Sequence, residues 1–229
     1  MRTRFLCLGI IFATFALAFA SFNTSGENVR EKKFAARFAA DTKLSAVEST
    51  GVYNLDPRHS YIGFRVMHLG LAEVPGAFRD FSGTINYDGN DVSKSSVNFT
   101  AKVTSVDTGV APRDNHLRTA DFFEVEKYPE LTFKSTKVEK KGKNWEVTGD
   151  FTLKGVTKQM TIPFTLNGMM KDDKGNVKMG ISAQTTINRQ DFGVKYGSKL
   201  PDGTLSLSDI VKIDLQLEAG MQKKAAAAE

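Results

Sequence analysis

Between Arg113 and Asp121 the chain carries five ionisable side chains in nine residues: Arg113, Asp114, His116, Arg118 and Asp121. A second set follows at Arg189-Gln190-Asp191. A guanidinium beside a carboxylate can form a bidentate, low-mobility ion pair. One left free can hold a phosphate or carboxylate head. Two readings therefore stand: the pairs pin a corner of the fold, or they present cations at the mouth of a binding site. The histidines are His59, His68 and His116. His59 and His68 are nine apart, so one regular strand would put them on opposite faces. No H-x-H or H-E-x-x-H spacing occurs. Asp56 lies before His59 and Asp114 before His116, so histidines satisfied by neighbouring carboxylates are expected; a metal site drawn from distant loops is the open alternative. Ser60 beside His59 would point to the other strand face. No nucleophile elbow, phosphate-cradling glycine loop or dinucleotide fingerprint is present. The expectation is a binding protein with no catalytic residue, no metal and no cofactor.

The elements that must position these groups are strands. Ile62, Phe64 and Val66 alternate with Arg65 and Met67; Val97, Phe99, Ala101 and Val103 alternate with Asn98, Thr100 and Lys102. Leu131 and Phe133 share a face, as do Trp145, Val147, Gly149, Phe151 and Leu153, then Met160, Ile162, Phe164 and Leu166, then Val211, Ile213, Leu215 and Leu217. Period-two alternation over this many runs predicts antiparallel strands with one apolar face each. Turn signals at Asp88-Gly89-Asn90, Lys141-Gly142-Lys143, Lys154-Gly155, residues 172–176 and Pro201-Asp202-Gly203 separate them. About eight to ten strands in a sandwich or barrel follow. Residues 113–133 read as one short helical excursion. A closed barrel of about eight strands either fills with its own side chains or holds one small ligand, and Gly63, Gly149 and Gly168 mark the kinks, bulges or close approaches that closure needs.

The N-terminus is read separately. Arg2 and Arg4, an apolar run over residues 5–15 and Ala18-Phe19-Ala20 fit a secretory signal over residues 1–20, cleaved near Ala20, for a periplasmic or secreted protein. The single cysteine, Cys7, leaves with it, which excludes a disulfide framework and a thiol nucleophile from the mature chain. Losing the two arginines leaves 29 basic against 26 acidic residues, a spread-out charge of +3 without the density of a nucleic-acid stripe. Residues 21–50 form a leader, either flexible or a short amphipathic helix through Phe34 and Phe38. Residues 51–220 form the barrel, and residues 221–229 a disordered tail.

Several segments in order carry a family resemblance: Tyr53 to Ser60, Phe64 to His68, Val74 to Gly83, Ser105 to Thr108, Arg113 to Leu117, Asp121-Phe122-Phe123, Tyr128-Pro129, Phe133, Gly149 to Gly155 and Arg189 to Gly193. From about Tyr53 to Ala219 the chain resembles the YceI-like family, lipocalin-like barrels of bacterial envelopes associated with binding polyisoprenoids and other long-chain amphiphiles. The resemblance implies an all-β, extended antiparallel barrel with one or two short helical segments capping one end. It implies sequestration or transport of a polyisoprenoid, isoprenoid quinone, or fatty acid or amide in an apolar tunnel. Arg113, His116, Arg189, His68 and His59 are expected near the polar head, and Phe64, Phe99, Phe133, Phe151, Phe164 and Leu215 on the tunnel wall. The implied partners are that amphiphile and, in passing, a membrane; no nucleic acid is implied, and a homodimer is left open. An envelope enzyme using the histidines as acid and base, and a barrel filled by its own side chains, are the alternatives.

Overall fold

Alternating apolar and polar residues bury one face of each strand, and closing the sheet on itself hides all those faces at once. The computed structural model describes residues 45–142 and 144–222. The expected signal, the leader up to residue 44 and the tail from residue 223 lie outside the described residues. The strands are β1 (Gly51–Leu55), β2 (Tyr61–His68), β3 (Ala72–Phe78), β4 (Phe81–Tyr87), β5 (Ser96–Lys102), β6 (Val106–Asp107), β7 (Glu130–Lys141), β8 (Asn144–Leu153), β9 (Val156–Lys171), β10 (Val177–Asn188) and β11 (Leu207–Met221). A four-residue helix, α1 (Ala46–Ser49), precedes them, and α2 (Ala111–Arg118) lies between β6 and β7.

These eleven segments act as eight staves. β1 and β2, β3 and β4, and β5 and β6 are successive halves of three long strands, each bent at a corner: residues 56–60, Arg79-Asp80, and a 3-10 turn at Val103–Ser105. Every neighbouring pair is antiparallel, and β7 to β11 follow in chain order. Closure comes from β11, which pairs β10 on one edge and both β2 and β1 on the other, Leu215 opposite Ile62 and Ala219 opposite Leu55. The fold is thus an all-β closed antiparallel barrel with a capping helix.

Besides an irregularity on β11 between Leu207 and Val211, two one-residue bulges set which residues face inward. Thr136 is an extra residue on β7 between Ser135 and Lys137, and Asn167 one on β9 between Leu166 and Gly168. A one-residue shift exchanges the two faces of a strand. Beyond the first bulge Val138, not Lys137, is buried. Gly149 lies opposite Ser135 at that bulge, and a Cβ there would come within 2.4 Å of the Lys134 carbonyl oxygen. Only glycine permits this close crossing.

The inner faces form two apolar clusters. The larger includes Phe78, Phe81, Leu131, Phe133, Phe151, Leu153 and Ile162, with Phe64, Phe99, Phe164 and Leu215 packed against it. The smaller gathers at the β1 end around Tyr53, Ile85, Val177, Met179 and Ala219. Tyr53 is fully buried, and its hydroxyl donates to the Ser49 carbonyl at 2.7 Å, tying α1 to the barrel.

Helix α2 starts with Pro112 in its first turn, where a missing N–H costs nothing. Its capping residue Val110 supplies no side-chain acceptor. The Asp114 carboxylate instead reaches back, accepting from the Thr108 N–H at 2.9 Å and from the Thr108 hydroxyl.

Candidate functional site

Inside the barrel lies a cavity of about 270 Å³. Its wall runs from Tyr87, Val92, Ser95 and Trp145 at one end to Leu117, Phe122, Phe123 and Val194 beneath α2 at the other. Alternation along each stave supplies the rest: Ile62, Phe64 and Val66 from β2, Trp145, Val147, Phe151 and Leu153 from β8, Met160, Ile162, Phe164 and Leu166 from β9, and Val211, Ile213, Leu215 and Leu217 from β11. Phe99 of β5 and Phe133 of β7 join them, so all six residues expected on the tunnel wall line it. A space walled this way offers water few hydrogen-bond partners. Leaving a void of about 270 Å³ costs on the order of 6 kcal/mol at ~24 cal/mol per Å³. That is a large fraction of a domain's net stability, and a fold under no demand for the space would fill it.

Among the described residues, Arg189 is the one charged residue on the wall. It is buried, and its five N–H donors are all used: Nε on the Ser208 carbonyl at 2.9 Å, Nη1 on those of Val194 and Tyr196 at 2.7 and 2.6 Å, and Nη2 on that of Leu207 and on Asp209 Oδ1, both at 3.1 Å. Burial pulls the guanidinium below the ordinary arginine range, and Asp209 opposes that pull. The adjacent Asp191 turns outward to Lys158 at 3.4 Å. The expected Arg189–Asp191 pair therefore does not form, and Arg189 has no donor left for a head group. It staples residues 194–209 to the barrel rim.

Arg113 likewise does not pair with Asp114. It donates from Nε to the Thr108 hydroxyl at 2.7 Å and from Nη2 to the Thr108 carbonyl at 2.9 Å. The carboxylate expected to satisfy His116 is also the wrong one: Nε2 of His116 meets Asp121 at 2.8 Å. That imidazole stands edge-on to Phe122 and Tyr196, with ring centroids 5.0 and 4.8 Å away. His116 thus backs the cavity wall through Phe122 without lining it.

His59, expected near the polar head, lies off the cavity wall. It is exposed on the outside of the barrel, its Nδ1 2.8 Å from Asp56 and 3.9 Å from Glu218, whose carboxylate also takes Lys178 at 2.6 Å. The hydrogen bond from His59, with the Arg58 N–H, holds the Asp56 carboxyl well below the usual carboxylate range. Among the described residues Asp56, His59 and Glu218 are the one trio close enough to share a metal ion. His68 is exposed at the end of β2 and is not part of the wall. The histidines are thus dispersed, and none lines the cavity.

Sequence reasoning missed Leu117, Phe122 and Phe123 as wall residues. The signal was present: an adjacent phenylalanine pair just after the capping helix, in a segment too short to bury it against itself. The partners Thr108, Tyr196 and Asp209 had no local signal.

Residues 53–219 match the model of the YceI-like domain. The chain is 42% identical over 151 residues to the YceI protein of Escherichia coli, covering 66% of this chain and 79% of that one. Among solved structures it resembles the YceI protein of Campylobacter jejuni, with a TM-score of 0.59, 31% identity and coverage of 69% and 90%. It shares the fold of a polyisoprenoid-binding domain from Saccharophagus degradans, with a TM-score of 0.53, 18% identity and coverage of 74% and 98%.

Proposed function

Since the chain belongs to the YceI-like domain family, we propose that it sequesters or carries a long-chain isoprenoid, its tail inside the barrel cavity. The observation that carries this reading is the cavity itself, apolar and bounded by all eight staves. Each methylene-sized group moved into it contributes about 0.8 kcal/mol, part of which is offset by ordering the chain. The name of the structurally similar Saccharophagus domain supports the same ligand class. The void counts against a barrel filled by its own side chains, and the dispersal of the three histidines away from it counts against acid–base chemistry on a bound lipid.

The wall also bears on the head group. With the donors of Arg189 saturated, a phosphate or carboxylate inside would be an unpaired buried charge. The ligand that fits has a neutral head, such as a quinone or phenol, or keeps a charged head outside. The basic, apolar and small-residue pattern of residues 1–20 supports export to the envelope, where such lipids reside.

The single tryptophan, Trp145, sits on the wall and reports occupancy. Titrating delipidated protein with an isoprenoid quinone should change its fluorescence saturably and raise Tm. Organic extracts of protein purified from its own host should contain a long-chain species in stoichiometric amount. No fluorescence change, no thermal shift and an empty extract together would sink the reading.

A further inference from the structure

The two ends of the barrel differ in what they show to solvent. At the α2 end, Leu71 is 83% exposed, Tyr196 47% and Val110 45%. At the opposite end, the β9–β10 hairpin shows Met170, less exposed, beside Lys171, Asp172, Asp173 and Lys174. Leu71 closes a tight turn in which its N–H donates to the His68 carbonyl at 2.9 Å, with Leu69 and Gly70 both at positive φ, 54° and 69°. Asparagine, aspartate or glycine is the usual choice at the first of those positions. Here the chain holds a leucine against that strain. The turn lies against the excursion that bears Tyr196, since the Leu69 N–H donates to the Ser206 carbonyl at 3.1 Å. Tyr196 in turn rests on Phe122, ring centroids 4.6 Å apart, and Phe122 lines the cavity. This face is therefore separated from the cavity by one aromatic layer.

Two lysines beside this face are unpaired. Lys195 and Lys199 are exposed and make no ion pair among the described residues, and Arg113 donates only to Thr108. Of the acids at this end, Glu73 pairs with Lys212, Asp209 with Arg189 and Asp121 with His116; Asp202 accepts only from the N–H of Thr204, and Glu124 and Glu126 make no ion pair among the described residues.

We propose that the α2 end of the barrel is a membrane-docking face that seats Leu71 and Tyr196 in the interface of an anionic bilayer, with Lys195 and Lys199 on its head groups. This rests on the carrier reading and adds to it the surface through which lipid is exchanged. A projecting leucine turn flanked by free cations suits a deformable, negatively charged surface, whereas a rigid protein partner would need a matching pocket.

The test is flotation of the protein purified from its own host with vesicles of phosphatidylglycerol and phosphatidylethanolamine, against phosphatidylcholine alone. Wild type should float with the anionic vesicles at low salt and be released as salt rises. Leu71→Ser should weaken binding about ten-fold, while Lys195→Gln and Lys199→Gln should each weaken it about five-fold, the loss of one lysine at an anionic surface. Met170→Ser, at the far end, should bind as wild type. Each variant is also titrated with quinone through Trp145, which shows that it is folded. Variants that float like wild type overturn the proposal. So does a wild type that takes up quinone but ignores anionic vesicles, an outcome that leaves the carrier reading intact. A dimer in sedimentation that Leu71→Ser dissolves would assign the face to a second copy and also overturn it. Vesicle binding that follows the predicted order without quinone uptake would uphold docking and remove the carrier.

Discussion

Arg113 and Arg189 stand in similar settings in the sequence, each with an aspartate one or two residues on and an aromatic nearby. In the folded protein their surroundings diverge. Arg113 is half-buried on the capping helix and spends its donors on Thr108, five residues away. Arg189 is buried beneath the rim and binds four carbonyls and a carboxylate spread from Val194 to Asp209. Neither uses the aspartate beside it. Adjacency on the chain brings charges close, but the arginine goes where unsatisfied carbonyls are buried, because those cost more to abandon than a solvated carboxylate does.

This contrast can be broken by substitution. Replacing Arg189 with Met leaves four carbonyls and Asp209 without their donor, and should cost about 3–5 kcal/mol in urea denaturation. Arg189→Lys should recover little of it, since an ammonium has three donors and no planar fork. A loss near zero would mean that the rim holds without its staple. Asp114→Ala removes both links to Thr108 at the start of α2 and should cost about 1–2 kcal/mol by the same measurement. Arg113→Ala should cost about 1 kcal/mol and leave quinone affinity, read through Trp145, within about two-fold of wild type. A collapse of affinity instead would restore Arg113 as a head-group contact. The smallest effect belongs to Asp191→Asn, which breaks only the exposed pair with Lys158 and should shift stability by less than about 0.5 kcal/mol.

The same contrast marks how far the sequence could be read. Phe64, Phe99, Phe133, Phe151, Phe164 and Leu215 were placed on the wall by alternation alone, because successive Cβ atoms on a strand point to opposite faces. The bulges at Thr136 and Asn167 escaped that reading, though the shift from Phe133 to Val138 and from Leu166 to Met169 records each change of face. The polar residues were the harder part. His59 and His68, both expected near the polar head, are exposed and off the cavity wall, and His116 meets Asp121 where Asp114 was expected.

The sequence by itself determined the alternating strands, their inward faces as far as the bulges, and the position of the capping helix, since each depends on residues within one turn or a few steps of a strand. Closure through β11, the void and the saturation of Arg189 were decided only in the tertiary structure. A backbone period is a local property that neighbouring residues enforce together. A cavity, or the partner of a long polar side chain, depends on which distant segments closure brings within about 3 Å, and no single stretch of chain encodes that.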